Sequence, residues 1–135
     1  MVDRHTPEQR QRNMRAASRQ KDTAPEMELR RGLTRAGLTG YRLHRRDVPG
    51  KPDLAWIGAR VAVFVDGAFW HGHPRKFRKG RSEWWDRKIA QNVERDRQVN
   101  ELLEAKGWQV IRLWDFEIAE DLAASVDRVR AALGR

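Results

Sequence analysis

The stretch that most constrains this chain is Val61-Ala62-Val63-Phe64-Val65, five apolar residues with no polar alternation. Such a run suits a strand buried on both faces. A strand of that kind needs cover above and below, which points to a sheet flanked by helices. Arg60–Asp66 reads as this strand, and Asp53–Ile57 as its neighbour across Gly58-Ala59. Tyr41–His44 is a short extended piece, and Val48-Pro49-Gly50-Lys51-Pro52 is a turn, since each proline biases the residue before it away from helix. Trp108–Trp114 supplies a further strand.

Helices fill the gaps. Thr6-Pro7-Glu8-Gln9 and Thr23-Ala24-Pro25-Glu26 both carry N-cap signatures, so helices are expected at about 7–18 and 24–36. The second displays Met27, Leu29, Leu33 and Ala36 and stops at Gly37. Ser82 caps a long helix of about 83–106, with Trp85, Ile89, Val93 and Leu103 as its apolar stripe and Gly107 as its end. A last helix of about 118–133 places Ile118, Leu122, Val126, Val129 and Leu133 on one side. The class is α/β with a mixed sheet.

With 135 residues the chain suits a single domain, 1–135, whose first 22 residues form a basic segment. The formal charge of +9 predicts a polyanionic partner, nucleic acid before an anionic membrane. No apolar run approaches the roughly 20 residues that span a bilayer, and the first residues lack the apolar core of a secretory signal. A cytoplasmic address is therefore expected. The absence of cysteine removes disulfides, thiolate metal sites and cysteine nucleophiles together.

Several residues stand out as chemistry. With the turn centred on Gly58-Ala59, Asp53 faces Phe64, and Asp66 lies two residues further along the same face, about 7–8 Å away. Two carboxylates so placed suit a hard cation such as Mg²⁺, or are strand-end acids facing solvent. Glu26 either completes its capping box or adds a third carboxylate. His71 and His73 follow the strand end, as a general acid or base, half a metal site, or plain loop residues. His5 and His44 lack such company. Phe69-Trp70 precedes a loop carrying Arg75, Lys76, Arg78, Lys79 and Arg81, which suits base stacking plus phosphate contact, or core anchoring. Of Trp84 and Trp85 one should enter the core and one face a ligand, while Trp108 and Trp114 read as core. Arg4 to Lys21 reads as a DNA-facing arm or a solvated helix, and Asn92–Arg97 mostly as a solvated face from which Arg95 or Arg97 reaches phosphate.

Six segments then occur in order: Met14-Arg15-Ala16, Lys21-Asp22-Thr23, Pro49–Asp53, Val63–His71, Asn92–Arg97 and Gly107–Val110. Together they closely resemble the very-short-patch repair (Vsr) endonucleases over about residues 8 to 118. The resemblance implies a restriction-endonuclease-like core of the PD-(D/E)xK type. It implies nicking of one DNA strand at T:G mismatches left by deamination of 5-methylcytosine. By position, Asp53 and the Val65 backbone carbonyl correspond to Mg²⁺ ligands, His71 to the catalytic histidine, and Glu26 to the helix acid that positions water or that histidine. Phe69, Trp70 and Trp85 correspond to aromatics that wedge into the duplex, with Met14 inserting from the other groove. Arg15, Arg75 and Lys76 join them as DNA contacts.

Departures from the family pattern shape the expectations. Ala68 and Phe116 stand where members can carry cysteine, leaving His73 alone, so no structural zinc is expected. The loop from His73 to Ser82 is short and basic, and Ala68 and Phe116 are expected to replace the metal by apolar packing. Asp66 replaces a histidine of the best-known members and becomes a further candidate for catalysis or for metal binding. Expected partners are double-stranded DNA with a T:G mismatch and, functionally, a 5-methylcytosine methyltransferase and mismatch-repair proteins. A mismatch is asymmetric, so a monomer is expected. Rival readings are a restriction-type or other-lesion nuclease of the same fold, and a catalytically inactive DNA-binding module. An RNA-binding domain is disfavoured by the lack of an aromatic strand pattern of the RNP kind.

Overall fold

The structure is a computed structural model that describes residues 22–135. The helix expected at 7–18, with His5, Met14, Arg15 and most of the basic arm, lies outside the described residues. The chain order is α1 (Ala24–Arg35), β1 (Arg42–Leu43), β2 (Leu54–Trp56), β3 (Val61–Asp66), α2 (Glu83–Ala105), β4 (Gln109–Trp114), α3 (Asp115–Glu120) and α4 (Leu122–Leu133). The strands form one mixed sheet in the order β1-β2-β3-β4. The pairs β1–β2 and β2–β3 are antiparallel, and β3–β4 is parallel. A parallel neighbour needs a long crossover, which the loop after Asp66 and the helix α2 provide.

β3 is buried on both faces. Val61 and Val63 join Leu54, Trp56, Ile111 and Leu113 under α1 and α4, which contribute Leu29, Leu33, Val126 and Val129. Ala62 and Phe64 point the other way, into a smaller cluster with Val48 and Leu103, bordered by Val99, Trp108 and Val110. Complete burial of a side chain such as Leu33 stabilises by about 1.5–3 kcal/mol. Gly32 lets α1 approach α4 closely, because a Cβ there would meet the side chains of Val126 and Leu122 at 3.1 and 3.2 Å.

The β2–β3 register pairs Leu54 with Val63 and Trp56 with Val61, so the turn centres on Gly58-Ala59 and Asp53 lies opposite Phe64 as expected. Before Asp53 the chain turns tightly, with the Lys51 N–H donating to the Val48 carbonyl at 3.0 Å. Gly50 has φ +79°, and a Cβ there would sit 2.4 Å from Val99 Cγ1. Only glycine suits both constraints.

Four expectations are corrected. The last helix is broken in two, because the Asp121 side chain accepts from the Ala124 N–H at 3.0 Å and caps a new helix. On α2 the stripe is narrower than expected, since Val93 is 46% exposed and lies over Gly72 of the loop rather than over the sheet. Trp108 borders the smaller cluster, but Trp114 leaves the core and packs with His73 and Phe116. Trp84 and Trp85 are both half-buried, edge to face at 4.9 Å, so neither is a core anchor.

Candidate active site

Two polar clusters collect where β2 and β3 meet the loop and helices. The first is built on α1. Thr23 caps the helix by accepting from the Glu26 N–H at 3.4 Å. The Glu26 carboxylate does not complete the box. It is 2% exposed and turns inward, where Arg30 Nη1 donates to it at 3.1 Å. The same Arg30 nitrogen donates to Asp22 at 2.6 Å. His44, at φ +48° just after β1, lies across the cluster. Its Nε2 is 3.2 Å from Glu26 Oε2, and its Nδ1 is 3.8 Å from Asp53 Oδ1. The shorter approach lacks hydrogen-bond geometry, so it is an electrostatic contact between ring and carboxylate. His44, which looked unremarkable in sequence, thus sits between Glu26 and Asp53.

Asp53 is fixed by the backbone of the neighbouring strand: the Val65 N–H donates to Asp53 Oδ2 at 2.6 Å. Burial pushes its carboxyl up to about 7, and the charges of Glu26 and Asp66 add to that, against the Val65 hydrogen bond. Among the described residues no lysine or arginine pairs with Asp53. The position therefore combines a half-buried carboxylate, a second, buried carboxylate close by and no paired lysine or arginine among the described residues. A hard divalent cation with oxygen ligands fits that donor set.

The second cluster joins β3, the loop, α2 and β4. His71 Nδ1 is hydrogen-bonded to the Asp96 carboxylate, and His71 Nε2 lies 3.7 Å from Asp66 Oδ1. Arg112 Nη1 is 3.2 Å from both Asp66 oxygens and 3.4 Å from Asp96 Oδ1. Burial opposes the charged ring, but the Asp96 hydrogen bond and the two carboxylates outweigh it, so His71 is raised above the ordinary histidine value. Asp66 is raised by burial, against the opposing charges of His71 and Arg112. Arg112 was not recognisable as a site residue from its local sequence. Asp96 falls within the run read as a solvated face.

Among the described residues, Asp22, Glu26 and His44, and separately Asp66, His71 and Asp96, each bring three donor groups near one point. A guanidinium already serves each triad, Arg30 the first and Arg112 the second.

The wedge candidates converge beside the second cluster. Phe69 packs edge to face with Trp70, Trp85 and Phe77 at 5.2, 5.0 and 5.8 Å. Asn92 of α2 donates to the Trp70 carbonyl at 2.9 Å and holds the loop down. A cleft of about 470 Å³ opens alongside, lined by Phe69, Phe77, Trp85, Arg78, Arg81 and Ser82 among others. Arg75, expected on DNA, pairs with Glu120 at 3.1 Å and lies 4.3 Å over the Phe116 ring. Arg97 is likewise engaged, by Glu94 and Glu101. Lys76, Arg78 and Arg81 are exposed and without an ion pair among the described residues.

The positions of the absent cysteines are also occupied. Ala68 is buried, and its N–H donates to Asp115 Oδ1 at 3.3 Å. The His73 ring packs edge to face on Trp114 and Phe116, at 4.8 and 4.9 Å. His73 Nδ1 accepts from the Arg75 N–H at 3.0 Å.

Comparison with known proteins gives a consistent result. A model of the family described as DNA mismatch endonuclease Vsr matches residues 2–76. The type II nicking enzyme V.NmeDIP of Neisseria meningitidis serogroup C is 38% identical, covering 98% of this chain and 90% of its own length. The type II nicking enzyme V.NaeI of Lentzea aerocolonigenes is 42% identical over 87% of this chain and 74% of its own. The DNA mismatch endonuclease Vsr of Escherichia coli (strain K12) is 39% identical over 85% of this chain and 74% of its own.

Proposed function

This chain belongs to the Vsr family of DNA mismatch endonucleases, which makes it a nuclease acting on DNA, and from that premise we propose that it nicks one strand at T:G mismatches left by deamination of 5-methylcytosine. The observation that carries this reading is the meeting of the Asp53–Glu26 carboxylates, the His71–Asp96 pair and the Phe69–Trp70–Trp85 wedge at one end of the central strands β2 and β3. The mixed sheet is taken as the restriction-endonuclease-like core of the family.

Asp53 and the Val65 backbone carbonyl would hold Mg²⁺, which supplies positive charge where negative charge grows on the scissile phosphate. Water attacks phosphorus in line. Glu26, buried and held by Arg30, would orient that water. Asp96 holds His71 by Nδ1 and leaves Nε2 to handle the proton at the phosphate. Phe69, Trp70 and Trp85 part the stack, which costs less at a mismatch than at a sound pair. Met14 and Arg15 contribute from the N-terminal segment, and Lys76 meets phosphate. The packing of His73 between Trp114 and Phe116 takes the structural place of a zinc. We infer a monomer working in the cytoplasm beside a 5-methylcytosine methyltransferase and mismatch-repair proteins.

The test uses end-labelled duplexes carrying T:G or C:G in mixed flanking sequences, with Mg²⁺ or EDTA, alongside Asp53→Ala. A single-strand nick confined to T:G, and dependent on Mg²⁺ and Asp53, is the expected result. Equal cleavage of both duplexes would favour a restriction-type nuclease. Binding without cleavage in every context would favour an inactive DNA-binding module.

A further inference from the structure

Arg112 stands mid-strand in β4, with its side chain only 19% exposed. Two neighbouring elements, α2 and β3, engage it. Its Nε donates to Asn100 Oδ1 of α2 at 2.7 Å. Its Nη1 meets both oxygens of Asp66, at the end of β3, at 3.2 Å, and Asp96 of α2 at 3.4 Å. Its guanidinium carbon lies 4.1 Å over the Phe64 ring. A cation buried this far is tolerable only when its donors are used and its charge is matched.

The two acids it touches are the two that bracket His71, Asp96 at Nδ1 and Asp66 toward Nε2. One guanidinium therefore spans both sides of the ring. We propose that Arg112 is a positioning residue for strand cleavage, fixing Asp66 and Asp96 about His71 and committing Asp66 to that histidine rather than to the cation at Asp53. The inference rests on the nicking reading above and deepens it. Without the guanidinium, the two carboxylates would face one another with only the His71 ring between them. Both Asp66 oxygens already face a cation, which weakens their pull on a second one. A lysine would keep the charge but lacks the planar fork that reaches Asn100 and both acids together.

Arg112→Met, Arg112→Lys, Asn100→Ala, Asp66→Asn and Asp66→Asn/Arg112→Met would be compared with the wild-type chain. Circular dichroism and the thermal midpoint establish which variants are folded. Two readouts follow: nicking kinetics on the T:G duplex, and the ¹⁵N resonances of the His71 ring at one fixed pH without DNA. Arg112→Met should lower kcat by roughly 10–100-fold with KM nearly unchanged, and should move the His71 resonances. Arg112→Lys should recover only part of the loss. In the Asp66→Asn background, Arg112→Met should cost much less than it does alone.

A raised KM with unchanged kcat would overturn the proposal and make Arg112 a DNA contact. So would unmoved His71 resonances in a folded Arg112→Met protein, or full additivity with Asp66→Asn. If Arg112→Met does not fold, Asn100→Ala removes one anchor of the guanidinium and carries the same two readouts. If the wild-type chain nicks no duplex, the nicking reading fails, and the ring resonances still decide whether Arg112 positions His71.

Discussion

At the scale of single residues, the chemistry depends on charges held away from water. Asp53 is the clearest case, with its carboxyl pushed up to about 7 by burial and by its acidic neighbours. The folded chain keeps a proton there that the unfolded chain releases near pH 4. Stability without metal should therefore fall as pH rises from about 4 to about 7, and level off above that. A divalent cation competes with that proton. Calorimetry should show Mg²⁺ raising the melting temperature at pH 8 and hardly at all at pH 5, with Asp53→Asn removing the difference. At the second cluster, Asp96→Asn should lower kcat by about 10²–10⁴-fold while leaving KM for the duplex nearly unchanged, measured by steady-state nicking. Asp53 and His71 were legible because they sit in distinctive local motifs. His44 and Arg112 were not, because their partners come from elements far away in the chain and their own neighbours carry no signal. Asp96 did have one: Asn92, Asp96 and Asn100 recur every fourth residue on α2, and all three point at the site, to Trp70, His71 and Arg112.

At the scale of elements, the strand pair was readable to the residue because Gly58-Ala59 leaves one natural centre for the turn. Helix starts were readable because Thr23 and Ser82 are side-chain caps, each accepting from the N–H three residues on, that of Glu26 and of Trp85. The break before α4 was missed because an apolar stripe continues across it, from Ile118 to Val126, while Asp121 restarts the backbone between them. Asp121→Ala should cost about 1 kcal/mol of stability, read from urea denaturation, without changing nicking at saturating DNA. The turn at Gly50 matters more. Gly50→Ala adds a Cβ in a left-handed conformation and drives it against Val99. A loss of about 1–3 kcal/mol is expected, with weaker Mg²⁺ activation as well, because this turn leads directly into Asp53.

At the scale of the whole molecule, the surplus of +9 acts as a field that gathers DNA before any base is sensed. Arg78 and Arg81 project from the cleft beside the wedge. Replacing either with alanine should weaken matched and mismatched duplexes alike, and should reduce the slope of log affinity against log salt by about one. Trp70 adds something that charge cannot. It is joined to His71 by a single peptide bond, and Asn92 clamps its carbonyl to α2. The Cα atoms of such neighbours are about 3.8 Å apart. In the proposed mechanism the wedge and the proton-handling group are thus consecutive residues of one clamped loop. Any change of the loop that shifts the wedge therefore drags the acid–base group with it, so the two cannot drift apart independently.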